Sequence, residues 1–284
     1  MTIATSAIDA RGFSFTADLG GPTGGELVLF LHGFPQTRYT WRAEMAALTD
    51  EGYRCCAIDQ RGYSAGARPA DVDAYRPEEM VADALAIASS LGHERFHLVG
   101  HDWGGQIAWC TAALHPERIE TLAVISRPHP AAFVRAFTED PAQSSRSGHH
   151  QKFQSSDAAD ALLANDATEL RDMYVKWGGV SAADANAYLA TLGERDALDS
   201  AINWYRAVRN TTLNFAEIPA VAIPTLYVWG TNDSTVGRVA AEGTGAMVDA
   251  SYSFIALPDV GHFVTDEVPG VFTKLLRKHL SRQS

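Results

Sequence analysis

The chain has 284 residues, 46% of them hydrophobic, and carries a formal net charge of −11 at pH 7. This hydrophobic share is ample for the core of one large domain or two small ones. An acidic surface repels nucleic-acid phosphates and anionic lipids, so we expect neither as a partner. Residues 1–20 contain no signal-peptide pattern and no apolar stretch reaches membrane-spanning length, so the expected location is the cytoplasm.

Three cysteines are present, at positions 55, 56 and 110. Their number is odd, and their spacing differs from that of metal-binding cysteine motifs. We therefore expect buried free thiols in a reducing compartment, and neither a metal nor another cofactor.

Apolar runs and helical patterns alternate along the chain. Predicted strands cover residues 26–31, 54–58, 95–99, 121–125, 224–229 and 252–257. Predicted helices cover about 40–49, 77–91 and 104–114, and a last helix leads to the C-terminus. Residues 130–215 show helical patterns and no convincing strand. The alternation predicts a mostly parallel sheet with an all-helical insertion near the sixth strand.

Residues 100–104 read Gly-His-Asp-Trp-Gly and lie between a predicted strand and a predicted helix. This pattern is typical of a nucleophile elbow, in which glycines permit a tight turn. Aspartate at position 102 narrows the chemistry, because a carboxylic acid with a reference pKa of about 4 is already ionised at neutral pH. Attack on an acyl group would give a reactive anhydride, whereas attack on a saturated carbon gives an ester that water hydrolyses. Asp102 thus predicts displacement at an sp3 carbon; the alternative is a simple helix cap.

Five short segments follow one another along the chain: His-Gly-Phe-Pro at 32–35, Asp-Gln-Arg-Gly-Tyr-Ser at 59–64, Gly-His-Asp-Trp-Gly-Gly at 100–105, Asn-Trp-Tyr-Arg at 203–206 and Gly-His-Phe at 261–263. Together, and in this order, they resemble the epoxide hydrolase family of the α/β-hydrolase fold. The resemblance extends over about residues 13–280. It implies a mostly parallel eight-stranded sheet flanked by helices, with an all-helical lid after the sixth strand. Residues 1–129 and 217–284 would form the core, and 130–216 the lid.

The resemblance also implies a base and an acid for the second step. His262 follows the last strand and would activate the water that attacks the ester carbonyl. Asp233, on a polar turn after the strand at 224–229, completes the order nucleophile, acid, histidine. The family's other location for the acid is after the sixth strand, but residues 121–138 contain none. Asp233 is therefore expected to orient His262, with a helix cap as the alternative.

Residues 32–35 follow the strand at which this fold forms half of its oxyanion hole. The backbone N–H groups of Phe34 and Trp103 would hold the oxyanion formed when water attacks the Asp102 ester. The side chains of Phe34 and Trp103, with those of Trp109 and Trp204, suggest an apolar substrate pocket.

Opening an epoxide produces a basic alkoxide, which needs a donor nearby. Epoxide hydrolases use two lid tyrosines, and Tyr205 matches the second. His149 stands at the first position, where its neutral imidazole N–H could still donate; a metal site with His150 is the less favoured interpretation. With a reference pKa near ~6.5, His149 should titrate within the working range. Tyr174 and Tyr188 are the next candidates, and His149 and Tyr205 would also contact the substrate.

Dehalogenases of the same fold are the main alternative, since they use the same aspartate and histidine. Fluoroacetate dehalogenases hold the substrate carboxylate with arginines at the positions of Trp103 and Gln106, and haloalkane dehalogenases place asparagine or tryptophan where Phe34 stands. An inactive receptor of this fold is a third possibility, although it would not need an intact triad. The predicted function is hydrolysis of an apolar epoxide to a vicinal diol through an Asp102 ester, by a monomer or homodimer.

Overall fold

An eight-stranded sheet lies at the centre of the molecule, whose computed structural model describes residues 2–281. Its strands are β1 (Ala4–Ala10), β2 (Phe13–Gly20), β3 (Leu27–Leu31), β4 (Arg54–Ile58), β5 (Phe96–His101), β6 (Ile119–Ile125), β7 (Thr225–Gly230) and β8 (Tyr252–Leu257). Their spatial order is β1-β2-β4-β3-β5-β6-β7-β8. β2 pairs antiparallel with β1 and with β4, and the other neighbours are parallel. The predicted mostly parallel sheet is confirmed.

Helices cover both faces of this sheet and its carboxyl edge. They are α1 (Arg42–Asp50), α2 (Pro77–Ser90), α3 (Trp103–Leu114), α4 (Pro130–Glu139), α5 (Pro141–Arg146), α6 (His149–Lys152), α7 (Ala158–Trp177), α8 (Ala182–Leu192), α9 (Arg195–Ala207), α10 (Arg238–Gly243), α11 (Val264–Glu267) and α12 (Pro269–Leu280). The backbone of α7 is non-helical at residues 164–167. No helix within residues 2–281 is long and apolar enough to cross a membrane.

The central strands β3, β5 and β7 are buried on both faces because helices cover both. In β3, Leu29 and Leu31 belong to the same buried cluster as Ile107 of α3. Phe30, between them in the chain, joins the opposite cluster with Met45 of α1. Adjacent strand residues point to opposite faces, so a strand buried on both sides reads as a continuous apolar run.

The segment between β6 and β7 contains α4 to α9 and, over residues 126–224, no named strand. It packs against the loops that follow β3 and β5. Tyr205 of α9 contacts the ring of Phe34 after β3 at 5.5 Å and that of Trp103 after β5 at 5.1 Å, measured between ring centroids. Carboxyl ends of parallel strands are where α/β proteins place their sites, so these helices face the candidate site.

Candidate active site

Asp102 lies on a strained turn between β5 and α3, with φ of 51° and ψ of −118°. The flanking glycines are required by space: a Cβ at Gly100 would clash with the carbonyl oxygen of Gly104, and one at Gly104 with that of Leu31. Strain of this kind persists where the surroundings enforce it. The Asp102 side chain makes no helix-capping hydrogen bond. The geometry is therefore that of an elbow presenting a carboxylate, and the helix-cap alternative is wrong.

The two carboxylate oxygens of Asp102 have different neighbours. Oδ1 accepts a hydrogen bond of 3.0 Å from the backbone N–H of Phe34, one of the two expected oxyanion donors. Oδ2 lies 3.8 Å from Nε2 of His262, which is too far for a direct hydrogen bond. The N–H of Trp103, the other expected donor, makes no hydrogen bond to this carboxylate.

His262 is buried, and its two ring nitrogens, like the two oxygens of Asp102, have different neighbours. Nδ1 lies 3.0 Å from Oδ2 of Asp233 and 3.2 Å from Oδ1. Nε2 has no hydrogen-bond partner within residues 2–281. An Nδ1–H directed at the carboxylate leaves the lone pair of Nε2 free to accept a proton. The structure thus brings the predicted nucleophile, base and acid together.

Asp233 is held by a dense set of donors. Ser126 Oγ donates to Oδ2 at 2.7 Å, and Oδ1 accepts from Thr235 N at 2.8 Å, Thr235 Oγ1 at 2.9 Å and Val236 N at 3.1 Å. The carboxylate therefore stabilises its own turn and contacts the imidazole at the same time. A local capping role and a role in orienting His262 do not exclude each other.

Charge pairing decides the protonation states of this couple. Burial disfavours the charged form of Asp233, but attraction to His262 and the hydrogen bonds from Ser126 and Thr235 outweigh it, so the pKa of Asp233 is lowered. Burial alone would lower the pKa of His262, yet Asp233 and then Asp102 reverse this, and the pKa of His262 is raised above 6.5. The pair is therefore suited to stabilising a proton on the imidazole.

Sequence reasoning missed several groups around His262. Ser126 Oγ lies 2.9 Å from Nδ1 of His262. The backbone N–H of His262 donates to the carbonyl of Trp177 at 2.7 Å. His101 Nε2 lies 2.9 Å from its carbonyl oxygen. Ser126 directly follows β6, the location at which an acid was sought, so this position could have been examined for another polar group. Nothing in the sequence pointed to Trp177 or His101.

Tyr205 and His149 lie together above the elbow, with ring centroids 5.9 Å apart. Burial and the charge of Asp102 raise the pKa of Tyr205 well above 10, so the phenol keeps its proton. Burial lowers the pKa of His149 to about 4, although Asp102 opposes the shift. His149 is therefore a neutral donor at neutral pH, and the expectation that it titrates near 6.5 is wrong because burial within the lid disfavours the charged imidazole.

A second histidine, His150, is also near Tyr205, at 4.9 Å between ring centroids. It stacks on Trp103 at 6.1 Å and contacts His149 at 4.6 Å. Burial, with the charges of neighbouring groups, lowers its pKa to about 2. Residues 2–281 contain no group of three or more His, Cys, Asp or Glu side chains placed to hold a metal ion.

Three other aromatic residues have different roles from those expected. The Tyr174 hydroxyl donates to the carbonyl of Pro35 at 2.6 Å, and the Tyr188 hydroxyl to the Asp266 carboxylate at 2.8 Å. Both hydroxyls therefore donate their hydrogen to other acceptors, and neither is placed as the substitute donor that the sequence analysis named. The ring of Trp109 packs against the rings of His129 and Tyr227, so Trp109 is a core residue and not the pocket residue that was expected.

Two cavities of about 390 and 400 Å³ flank α6. The first is lined by His149, Phe153 and Trp177, and the second by His150 and Tyr205. Asp102 and His262 line neither. The lining of these two cavities therefore comes from the helices between β6 and β7 and does not include the elbow.

The molecule is similar to known proteins over nearly all of its length. Residues 26–269 match the model of a family described as the alpha/beta hydrolase fold. Epoxide hydrolase 4 of Mus musculus is 32% identical, over 98% of this chain and 79% of that protein. A solved structure described as a novel epoxide hydrolase from hot-environment metagenomes has a TM-score of 0.86 and 32% identity, covering 99% of each chain. The epoxide hydrolase of Bacillus megaterium, solved with an inhibitor, has a TM-score of 0.88 and 27% identity, covering 97% of this chain and 100% of its own. The chain belongs to the α/β-hydrolase fold family, within its epoxide hydrolases.

Proposed function

We propose that this protein hydrolyses an apolar epoxide to a vicinal diol through an ester on Asp102. The proposal is carried by the asymmetry around Asp102, with the N–H of Phe34 on Oδ1 and the unpartnered Nε2 of His262 facing Oδ2. The names of the relatives and the lid donors Tyr205 and His149 support it. A carboxylate in this position needs no base to attack, so the base is available for the second step.

In the first step, Oδ2 of Asp102 attacks a ring carbon of the epoxide and the C–O bond breaks. The leaving oxygen becomes an alkoxide, which is more basic than a phenolate and takes the proton of Tyr205. His149 donates a hydrogen bond to the same oxygen. Both groups carry a hydrogen to donate at neutral pH, because burial raises the pKa of Tyr205 and keeps His149 as a neutral imidazole with one N–H.

In the second step, neutral His262 takes a proton from water as its oxygen attacks Cγ of Asp102. Negative charge develops on Oδ1, where the N–H groups of Phe34 and Trp103 stabilise it. Asp233 stabilises the imidazolium, since the two side chains lie 3.0 Å apart in a buried site. The tetrahedral intermediate then releases the diol, which carries Oδ2 with it and takes the proton from His262. The proton that remains on the new carboxyl group of Asp102 returns to the Tyr205 phenolate, which restores both side chains.

Residues 1–129 and 217–284 act as the core in this proposal, and residues 130–216 as a lid that supplies Tyr205 and His149. Phe34 and Trp103 complete the lining of the substrate pocket. The chain would work as a monomer or homodimer in the cytoplasm, which size-exclusion chromatography and localisation of a tagged chain can test. Dehalogenation is less well supported, because the phenyl ring of Phe34 provides no N–H donor to a halide.

Isotope labelling tests the covalent step. A single turnover of styrene oxide in H2(18)O should label the peptide that contains Asp102, because water attacks the ester carbonyl. Label found only in the diol would mean direct hydration and would overturn the proposal. Chloride release from chloroacetate or 1-chlorobutane, without turnover of any epoxide, would favour a dehalogenase instead.

A further inference from the structure

Arg127 is a buried arginine that forms no ion pair within residues 2–281, although the charge of Asp102 acts on it from a greater distance. It follows Ser126 at the end of β6 and is 9% exposed. Its Nε donates to Oε1 of Gln106 at 2.8 Å, and its terminal nitrogens make no hydrogen bond within residues 2–281. By contrast, Arg61, 3% exposed, places Nε and Nη2 on the carboxylate of Asp83 at 2.7 and 2.6 Å. Burying a cation is costly unless a partner compensates for the lost water, so the terminal N–H groups of Arg127 are available for an anion.

The guanidinium of Arg127 lies between two aromatic rings close to the elbow. Its central carbon lies 4.1 Å from the ring centroid of Phe133 and 5.7 Å from that of Trp103. Trp103 in turn contacts Tyr205 at 5.1 Å. After the larger effect of burial, the charge of Arg127 also contributes to lowering the pKa of His150. The cation is thus one aromatic ring away from the proposed ring-opening donor.

We propose, on the basis of the function proposed above, that Arg127 binds a carboxylate at the far end of the substrate. The substrate would be an epoxide whose apolar chain runs past Trp103 and ends in an anionic group. The two terminal nitrogens of a guanidinium match the two oxygens of a carboxylate. The net charge of −11 opposes anionic ligands in general, so this preference depends on the local charge of Arg127.

Matched pairs of substrates test the proposal. Terminal epoxides with an ω-carboxylate, from 4,5-epoxypentanoate to 10,11-epoxyundecanoate, are compared with their methyl esters. We expect wild-type kcat/KM to favour the free acid at one or two chain lengths. Arg127→Gln should lower kcat/KM for that acid by roughly 10- to 100-fold more than for its ester, the range expected for a charge-assisted hydrogen bond. Arg127→Lys should retain part of the preference.

The control is Arg135→Gln, which removes an exposed arginine of α4 whose partners are Glu139 and the carbonyl of Gly243. It should leave the acid-to-ester ratio unchanged. Equal loss for acid and ester in Arg127→Gln, or no preference for the acid at any length in the wild type, would overturn the role of Arg127. Equal loss would assign Arg127 to packing.

A binding measurement covers the case in which Arg127→Gln fails to fold, and it does not depend on epoxide turnover. Octanoate and decanoate should raise the melting temperature of the wild type more than octanol and decanol do. An equal shift for acids and alcohols contradicts the proposal. Turnover of styrene oxide without any preference for acids would leave the proposed function intact and reject only the role of Arg127.

Discussion

Replacing Asp233 with asparagine should reverse the proton arrangement of His262, because the structure dictates which way the new amide faces. Three donors, Thr235 N, Thr235 Oγ1 and Val236 N, converge on Oδ1, so the amide oxygen must take that place. The NH2 group then replaces Oδ2, 3.0 Å from Nδ1 of His262. Two donors cannot face each other, so the imidazole moves its proton to Nε2 and loses the lone pair that the water needs.

The size of the effect follows from the buried pair that is lost. Removing one partner of a buried charged pair costs about 3–5 kcal/mol, and each ~1.4 kcal/mol of barrier is tenfold in rate. Hydrolysis of the Asp102 ester should therefore slow by about 10²- to 10⁴-fold. Formation of the ester should change by less than about tenfold, since the carboxylate attacks without a base.

Rapid quenching of the Asp233→Asn variant with styrene oxide, followed by intact-protein mass measurement, separates the two steps. The ester should accumulate to nearly one adduct per chain. Asp259→Asn is the matched control: Asp259 is close to His262 in sequence, is exposed, and has a φ of 61°, which asparagine tolerates. Wild-type turnover in Asp233→Asn, or equal ester accumulation in Asp259→Asn, would refute the reasoning.

Three further outcomes are expected. His262→Gln should form one ester per chain and then stop, seen as a stable mass increase; a variant that binds substrate and stays unmodified would contradict the division of steps. Tyr205→Phe or His149→Phe should each slow ester formation, and the double variant should nearly abolish it, measured by quenched flow; an unaltered rate in His149→Phe would assign ring opening elsewhere. The rate of ester hydrolysis should fall as pH decreases through the pKa of His262. The pKa of His262 should be lower in the ester than in the free enzyme, because esterification removes the charge of Asp102. In contrast, His149 should add no bend to the pH profile of ester formation above pH about 5, since its pKa is lowered to about 4.

The sequence predicted the central sheet well because its parallel strands are buried on both faces and read as apolar runs. β1 and β2 were not assigned, because neither reads as an apolar run: β1, at the edge of the sheet, has two buried positions among seven residues, and β2 has three among eight. Helix and strand ends shifted by a few residues, as when β5 continued to His101 where the pattern had ended at residue 99. Local hydrophobicity indicates which segments are buried, but it locates the first and last residues of a helix or strand poorly.

The triad residues were found because each sits beside glycines or after a strand in a short pattern. Their supporting contacts were not found, because these join parts of the chain that only folding brings together. Ser126 and His262 are 136 positions apart, and the hydrogen bond from His262 ends on a backbone carbonyl, which has no sequence signature. The pKa of His149 depends on how much of its ring other helices cover, and this too is a property of the packed lid.

The unequal surroundings of the Asp102 oxygens give them unequal lifetimes. In the proposed mechanism each turnover removes Oδ2 in the diol and replaces it with an oxygen from water, while Oδ1 stays on the N–H of Phe34. A Cβ at position 33 would clash with the Asp102 side chain, so glycine leaves the space that the carboxylate occupies, and the hydrogen bond of 3.0 Å from Phe34 holds Oδ1 in its place. One oxygen would thus date from synthesis of the chain and the other from the last catalytic cycle. After many cycles in heavy-oxygen water, the carboxylate should carry one heavy atom and not two.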